Sequence, residues 1–435
     1  MLLVKQYEIK KSSNITIYNM LDNFCFLSKN LYNLTNYCIR QCYFITKKLD
    51  KGEILDSREK AFLKNLNEAV LRYNSKSKRH INYFDSKHKV PCDAYFLDTV
   101  LKGIDYKAMP AAVSSQVCIQ SVCKEWKSYF ESIKSKKSKG IPRPPKYKDK
   151  KEGRYPIVLT NNACKIKDGY ICFPKTFKGF RIKTDLTSLN QVRIISTKTK
   201  IVIEVIYSVE EKEMKTDNNR VIGIDIGIDN FVTIVNNIGD NAILIDGKGL
   251  KSTNAYYNKR KAKYQSIAKI CNKRYVTNRI LRLTDKRNNK VRDFIHKVSR
   301  YIVNYALEND INTVIIGYNK EWKQGIELGK KVNQNFVGIP YYMLLQQLQY
   351  KCKLEGINLI ITEESYTSGT SYLDSELPVK ENYNKIRRKH RGLFISNRGK
   401  EINADINAAY QIVKKVNPNY LQGNESIIGI RKYLL

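Results

Sequence analysis

The chain has 435 residues, 42% of them hydrophobic, which is room for two to four domains with real cores. Lys and Arg number 78 against 41 Asp and Glu, a formal charge of +37, so the expected partner is a polyanion of comparable extent, and nucleic acid fits better than a membrane surface. No run of 18 apolar residues occurs, and the start, MLLVKQYEIKK, lacks a signal-peptide core, so a soluble intracellular protein is expected. Ten cysteines without C-x-x-C spacing and four scattered histidines argue for free core thiols over a disulfide framework or a zinc site.

Leu2 to Ile9 alternates like a strand, and Tyr18–Leu49 and Met109–Ile133 carry helical periodicity, the second entered through Pro110. GIPRPPKYKDKK is basic and has too many breakers for a helix; it reads either as a solvated linker or as a loop tracking a phosphate backbone. From Tyr155, the segments YPIVLT, KIKDGYICFP, FRIKTD, VRIIS and IVIEVIYSV are short strands separated by turn signals, as in a barrel or folded sheet. The N-terminal strand should pair with this 155–210 region, which makes the helices an insertion. EEKEMKTDNNR, at 210–220, is the best domain boundary.

Beyond it come strands at 220–226, 231–236 and 242–246, long helices over about 250–309, strand TVIIG (313–317), a helix from Pro340 to Glu355, strand INLIITE, a loop region and a final helix. Three consecutive antiparallel strands followed by strands separated by helices match an RNase H type of mixed sheet better than a uniform Rossmann alternation. Residues 248–310 hold 17 Lys or Arg and four Asp or Glu. A soluble helical face usually balances its signs, so this excess reads as a helical pair lining a nucleic-acid channel, including Arg274, Arg279, Arg282, Lys286 and Arg287.

Two stretches carry the chemistry. VIGIDIGID puts Asp225 at the end of a buried strand, where ligands of such sheets gather. EINADINAAYQI puts Asp405 in the first turn of a helix with apolar positions at Ile402, Ile406, Ala409, Ile412 and Val413. Carboxylates gathered this way repel unless a divalent cation lies between them, and oxygen ligands suit Mg²⁺ or Mn²⁺.

GIDIGIDNFVTI, FIHKVSRYIV, PYYMLLQQLQYKCKLEGI, ESYTS and INADINAAYQI, in that order, together with SSQVCIQSVCKEWKSYF and GIPRPPKYK in the first half, resemble the TnpB proteins of insertion-sequence transposons, relatives of type V CRISPR effectors. The resemblance covers nearly the whole chain. It implies an α+β multidomain protein: a wedge β-barrel from 1–14 and 150–212, an inserted helical recognition domain and basic loop at 15–149, and a RuvC-like nuclease domain at 213–435 with a target-nucleic-acid-binding insertion at 365–400. It also implies an RNA-guided DNA endonuclease, carrying a guide RNA from the transposon end and cutting double-stranded DNA beside a short adjacent motif, in the cytoplasm of a bacterium in association with the nucleoid. Asp225 would then bridge two Mg²⁺ or Mn²⁺ ions, with Glu364 and Asp405 holding one each. Gln116 falls where relatives touch the target-adjacent duplex and would read adenine, unless it is an ordinary surface glutamine. Lys146, Tyr147 and Lys148 would contact nucleic acid from the basic loop.

The sequence departs from the family in two places. The central catalytic Glu normally ends the strand after the basic helices, but Gly317, Tyr318 and Asn319 offer no carboxylate. Glu364, Glu321 or an inactive site are the alternatives. Glu364 is favoured because it closes the strand expected beside TVIIG, with Glu363 alternating away from it. The family's four-Cys zinc ribbon also has no counterpart, since 365–400 contains no cysteine and only His390, so no zinc is expected. Arg387, Arg388, Lys389 and Arg391 keep that loop basic, as a grip on nucleic acid or as a solvated run. The rival functions are a nuclease-inactive RNA-guided DNA-binding regulator, a structural RNA-binding protein, and a conventional DNA transposase.

Overall fold

A computed structural model describes residues 1–78, 80–82, 84, 93–135, 140–319, 338–390, 392–421 and 429–433. They form two compact units, Leu2–Val209 and Glu210–Leu435, the latter together with Met1. Among the described residues no helix is long and apolar enough to cross a membrane.

The first unit begins with β1 (Leu2–Lys10) and a 36-residue helix α1 (Ile15–Asp50), started by Asn14, whose side chain accepts the Ile17 N–H. Helices α2 (Ser57–Asn74), α3 (Ala94–Val100), α4 (Ile104–Lys107) and α5 (Ala112–Ser135) follow. Leu21, Cys25, Tyr32, Ile39 and Cys42 fall at helical spacing on α1 and are buried, as are Cys118, Ile119, Val122 and Trp126 of α5. The Trp126 indole N–H donates to Asn36 Oδ1 at 2.8 Å, so this large ring is buried without an orphaned donor.

The expected barrel strands are distributed over two sheets. β2 (Ile157–Thr160), β6 (Gln191–Ser196) and β7 (Lys200–Ser208) join β1 in the order β1-β7-β6-β2, while β3 (Lys165–Lys167), β4 (Tyr170–Cys172) and β5 (Arg181–Lys183) form a second sheet. β1 pairs antiparallel with β7 from Leu2↔Ser208 to Lys10↔Lys200, the long-range pairing the alternation called for.

The second unit is built on a six-stranded mixed sheet. β8 (Val221–Ile226), β9 (Asn230–Asn236) and β10 (Ala242–Asp246) are antiparallel neighbours; then come α6 (Lys248–Asn272), α7 (Asn278–Glu308), β11 (Thr313–Gly317), α8 (Tyr341–Leu354) and β12 (Asn358–Thr362). β11 lies parallel between β8 and β12. Three short strands, β13 (Arg388–His390), β14 (Leu393–Ile395) and β15 (Glu401–Asn403), precede α9 (Ala404–Val416), and β16 (Ile430–Tyr433) completes the large sheet in the order β12-β11-β8-β9-β10-β16.

Strand parity sorts the two faces. Ile222, Ile224, Ile226, Val314 and Ile316 pack with α7 and α8, while Val221, Val235 and Ile315 pack with Ile406, Ala409 and Ile412 of α9. Residues 223, 225 and 317 therefore share the α9 face. At Gly223 the α9 backbone comes so close that a Cβ would stand 2.8 Å from the Ala409 carbonyl oxygen. Only glycine admits this approach, and it brings the first turn of α9 alongside the end of β8.

Candidate active site

Three carboxylates from separate elements meet in one cleft of about 320 Å³. Asp225 comes from the last turn of pleat in β8, Glu364 from the chain just past β12, and Asp405 from the first turn of α9. Asp229, Asn319, Thr367, Ser368 and Arg388 also line the cleft. β12 carries Ile360 toward α9, and just past its end Glu364 enters the cleft while Glu363 stays outside it. Glu363 is held instead by Lys415 Nζ at 2.6 Å.

Burial raises the Asp225 carboxyl well above its ordinary range, and the neighbouring Glu364 and Asp405 charges push it further up, against the opposing Arg388. Burial also raises Glu364, to about 7. Glu364 Oε1 is buried without a hydrogen-bond partner. Asp405 is oriented by Asn230, which donates to Oδ2 at 2.8 Å, and by Arg388, whose guanidinium lies 3.4 Å from Oδ1. Its own N–H is capped by Asn403.

An orphaned carboxylate oxygen beside two further carboxylates, with no soft ligand near, is the donor chemistry of a hard divalent cation. Among the described residues no three Asp, Glu, His or Cys side chains are placed to hold a metal ion as they stand.

The sequence groups Arg388 with the basic run of the 365–400 loop, and the structure places its guanidinium beside Asp405 in the cleft. The spacing of β13 from α9 along the chain carried no hint of that. Arg387 is a correction: it is buried, not an open grip on nucleic acid. It donates to both Glu376 oxygens at 2.7 and 2.8 Å and to the Gly369 and Asn382 carbonyls, so both its terminal nitrogens are engaged in holding the 369–397 loop together. Arg287 is a second correction. It is half-buried, with its guanidinium donating to Asn254 Oδ1 and the Gly338 carbonyl, and so it braces α6 against α7. Lys389 is exposed; Arg391 and Glu321 lie outside the described residues.

Arg274, Arg279, Arg282 and Lys286 are exposed on or beside the α6–α7 hairpin. Arg279 sits 4.2 Å from the Tyr264 ring, which presents its charge on a stacked rather than a free side chain. Gln116 is exposed on α5. The segment GIPRPPKYKDKK is no floating linker. Side chains of α1 hold its backbone: Asn36 and Arg40 donate to the Pro145 carbonyl, Asn33 to the Lys148 carbonyl at 2.9 Å, and the buried Lys29 to the Lys150 carbonyl at 2.7 Å. Lys146 and Tyr147 stay exposed, and Lys148 is half-buried with its ammonium 4.5 Å from the Tyr32 ring.

Residues 204–323 match the family model OrfB_IS605, probable transposase, and residues 341–412 match the Cas12f1-like TNB domain. No curated protein sequence matches the chain. A cryo-EM structure of a Cas12f1–sgRNA–target DNA complex is similar over 91% of this chain and 82% of that chain, at 14% identity and a TM-score of 0.53, and the two share a fold. A CRISPR-Cas12f ternary complex aligns over 90% and 80% at 15% identity (TM-score 0.36). The C2c1 protein of Alicyclobacillus acidoterrestris with single-guide RNA aligns over 93% and 70% at 8% identity (TM-score 0.39).

Proposed function

We propose that this chain, a TnpB-family protein by its OrfB_IS605 and Cas12f1-like TNB segments, is a transposon-encoded RNA-guided DNA endonuclease. The observation that carries the reading is the convergence of Asp225, Glu364 and Asp405 on one cleft beside Arg388, with a buried Glu364 oxygen unpartnered. Those three residues would hold two Mg²⁺ or Mn²⁺ ions. Bound there, divalent cations supply Lewis acidity and charge neutralisation for in-line displacement at a phosphodiester. Asn230 fixes the orientation of Asp405, and the planar guanidinium of Arg388 is suited to a non-bridging phosphate oxygen.

The six-stranded sheet is read as the RuvC-like domain (213–435), the β1-containing sheets as the wedge (1–14 and 150–212), and α1–α5 with the basic loop as the recognition domain (15–149). Guide RNA would be held by the pinned loop and the α6–α7 cations, target DNA with its adjacent motif by α5 and the 365–400 insertion, and the setting is a bacterial cytoplasm. The alternative is a nuclease-inactive RNA-guided DNA-binding regulator, favoured by the absence of a carboxylate at the end of β11. The test is to purify the chain, sequence the RNA that comes with it, and supply DNA matching that RNA with Mg²⁺. A species enriched from sequence flanking the gene, with cleavage lost in Asp225→Ala and Asp405→Ala but target binding retained, supports the endonuclease. Guided binding without cutting by the unaltered protein selects the regulator, and RNA without any enriched species rejects both.

A further inference from the structure

The end of β11 contributes no carboxylate, yet it is shaped around one. Gly317 lies on the α9 face, in parallel register with Thr362 of β12. A Cβ built on it would stand 2.7 Å from both Cγ and Oε1 of Glu364 and 2.6 Å from Ile412 Cδ1. Carbon atoms in contact settle near 3.5–4.0 Å, so the Glu364 carboxylate occupies volume that any other residue at 317 would fill. Two residues on, Asn319 Oδ1 accepts the Glu364 backbone N–H at 2.9 Å, and Thr367 donates its hydroxyl to the Glu364 carbonyl at 2.9 Å. The backbone that bears the carboxylate is fixed on both sides while the strand beneath makes room for its side chain.

We propose that Gly317 and Asn319 are positioning residues for Glu364: the end of β11 is a socket that receives a carboxylate from the neighbouring strand, and Gly317 must be glycine for the carboxylate to seat. This rests on the reading of Glu364 as a cation ligand. The atoms a new methyl would strike, Glu364 Cγ and Oε1 and Ile412 Cδ1, belong to side chains and not to backbone. Gly317→Ala is therefore accommodated by swinging Glu364 and Ile412 aside, which spares the fold and displaces the ligand. The socket also predicts that the strand of origin is exchangeable. An Asp carboxylate oxygen lies about 2.4 Å from its own Cβ, close to the 2.7 Å that separates the Gly317 Cβ position from Glu364 Oε1. Gly317→Asp combined with Glu364→Ala would return an oxygen to the same place.

The experiment is Mn²⁺ titration of the full chain with its co-purified RNA, following free Mn²⁺ by electron paramagnetic resonance, with melting in chelator measured in parallel. RNA alone supplies the background to subtract. Gly317→Ala is expected to lower affinity at the protein site about 10- to 100-fold, the range for losing support of a metal ligand, with little change in melting. Asn319→Ala, which adds no atoms, is expected to act in the same direction and carries the test if Gly317→Ala does not fold. The Gly317→Asp/Glu364→Ala chain is expected to bind more tightly than Glu364→Ala alone. Wild-type affinity in Gly317→Ala, or a loss matched by an equal loss of melting temperature in both single variants, would overturn the socket. Wild-type affinity in Glu364→Ala would instead overturn the ligand reading beneath it.

Discussion

Replacing Glu364 by Gln should make the metal-free protein more stable at alkaline pH while abolishing its response to Mg²⁺. Burial raises the Glu364 carboxyl from 4.5 to about 7. Each pKa unit is worth about 1.4 kcal/mol, so ionising the group in the fold costs about 3 kcal/mol more than in the unfolded chain. The sign follows from proton binding. Between 4.5 and 7 the folded carboxyl keeps its proton and the unfolded one has lost it, so stability falls as pH rises through that window, and the full penalty stands above pH 7. Gln carries no such penalty.

In chelator at pH 8 the variant should gain up to about 3 kcal/mol, which at about 2–4 °C per kcal/mol for a unit of this size is at most roughly 6–12 °C in Tm. At pH 4.5 the two proteins should melt alike. Calorimetry of both across this range reads Glu364 together with Asp225, because losing the Glu364 charge also relieves the neighbouring Asp225 carboxyl. Adding Mg²⁺ should then raise the melting temperature of the unaltered protein and not of the variant, by mass action on the folded state. A gain that is the same at every pH, or no gain at pH 8, would refute the claim that a desolvated, ionisable Glu364 sits in the cleft.

Arg387→Met should destabilise the second unit, because it removes the cation that bonds both Glu376 oxygens and the Gly369 and Asn382 carbonyls; limited proteolysis should then open the 369–397 loop first. Elemental analysis of the purified chain should find no stoichiometric zinc, and a zinc-selective chelator should leave its activity intact. Asn33→Ala, which removes both the bond to the Lys148 carbonyl and the acceptor for the Lys148 N–H, should weaken RNA retention at moderate salt several-fold without altering the cleft chemistry, as read by filter binding.

Much of the second unit was legible because its signals are local. Val221–Ile224 and Thr313–Gly317 are short, mostly apolar runs, which is how strands buried on both faces read, and Glu364 rather than Glu363 enters the cleft. The helix Ser57–Asn74 is marked in sequence only by its start, where Asp56 and Glu59 form a capping box; it buries few residues, so its apolar period is faint. The strands β13–β15 are three residues each, too short for alternation to register. What no local pattern could show was the direction of long cations. Arg387 and Arg388 are adjacent in sequence, yet one is consumed by Glu376 and two carbonyls while the other faces Asp405. Their difference is set by where the 369–397 loop returns, a tertiary fact.

The tethering of the basic loop to α1 has a thermodynamic corollary. Donors from Lys29, Asn33, Asn36 and Arg40 all end on loop carbonyls, so the backbone is ordered before any polyanion arrives. A basic arm that folds on its ligand buries new apolar surface and shows a large negative heat-capacity change, with an entropy cost for ordering the chain. This loop has no such transition left to make. Its contribution to association should be nearly all counterion release: steep in salt, shallow in temperature, and with little heat-capacity change of its own.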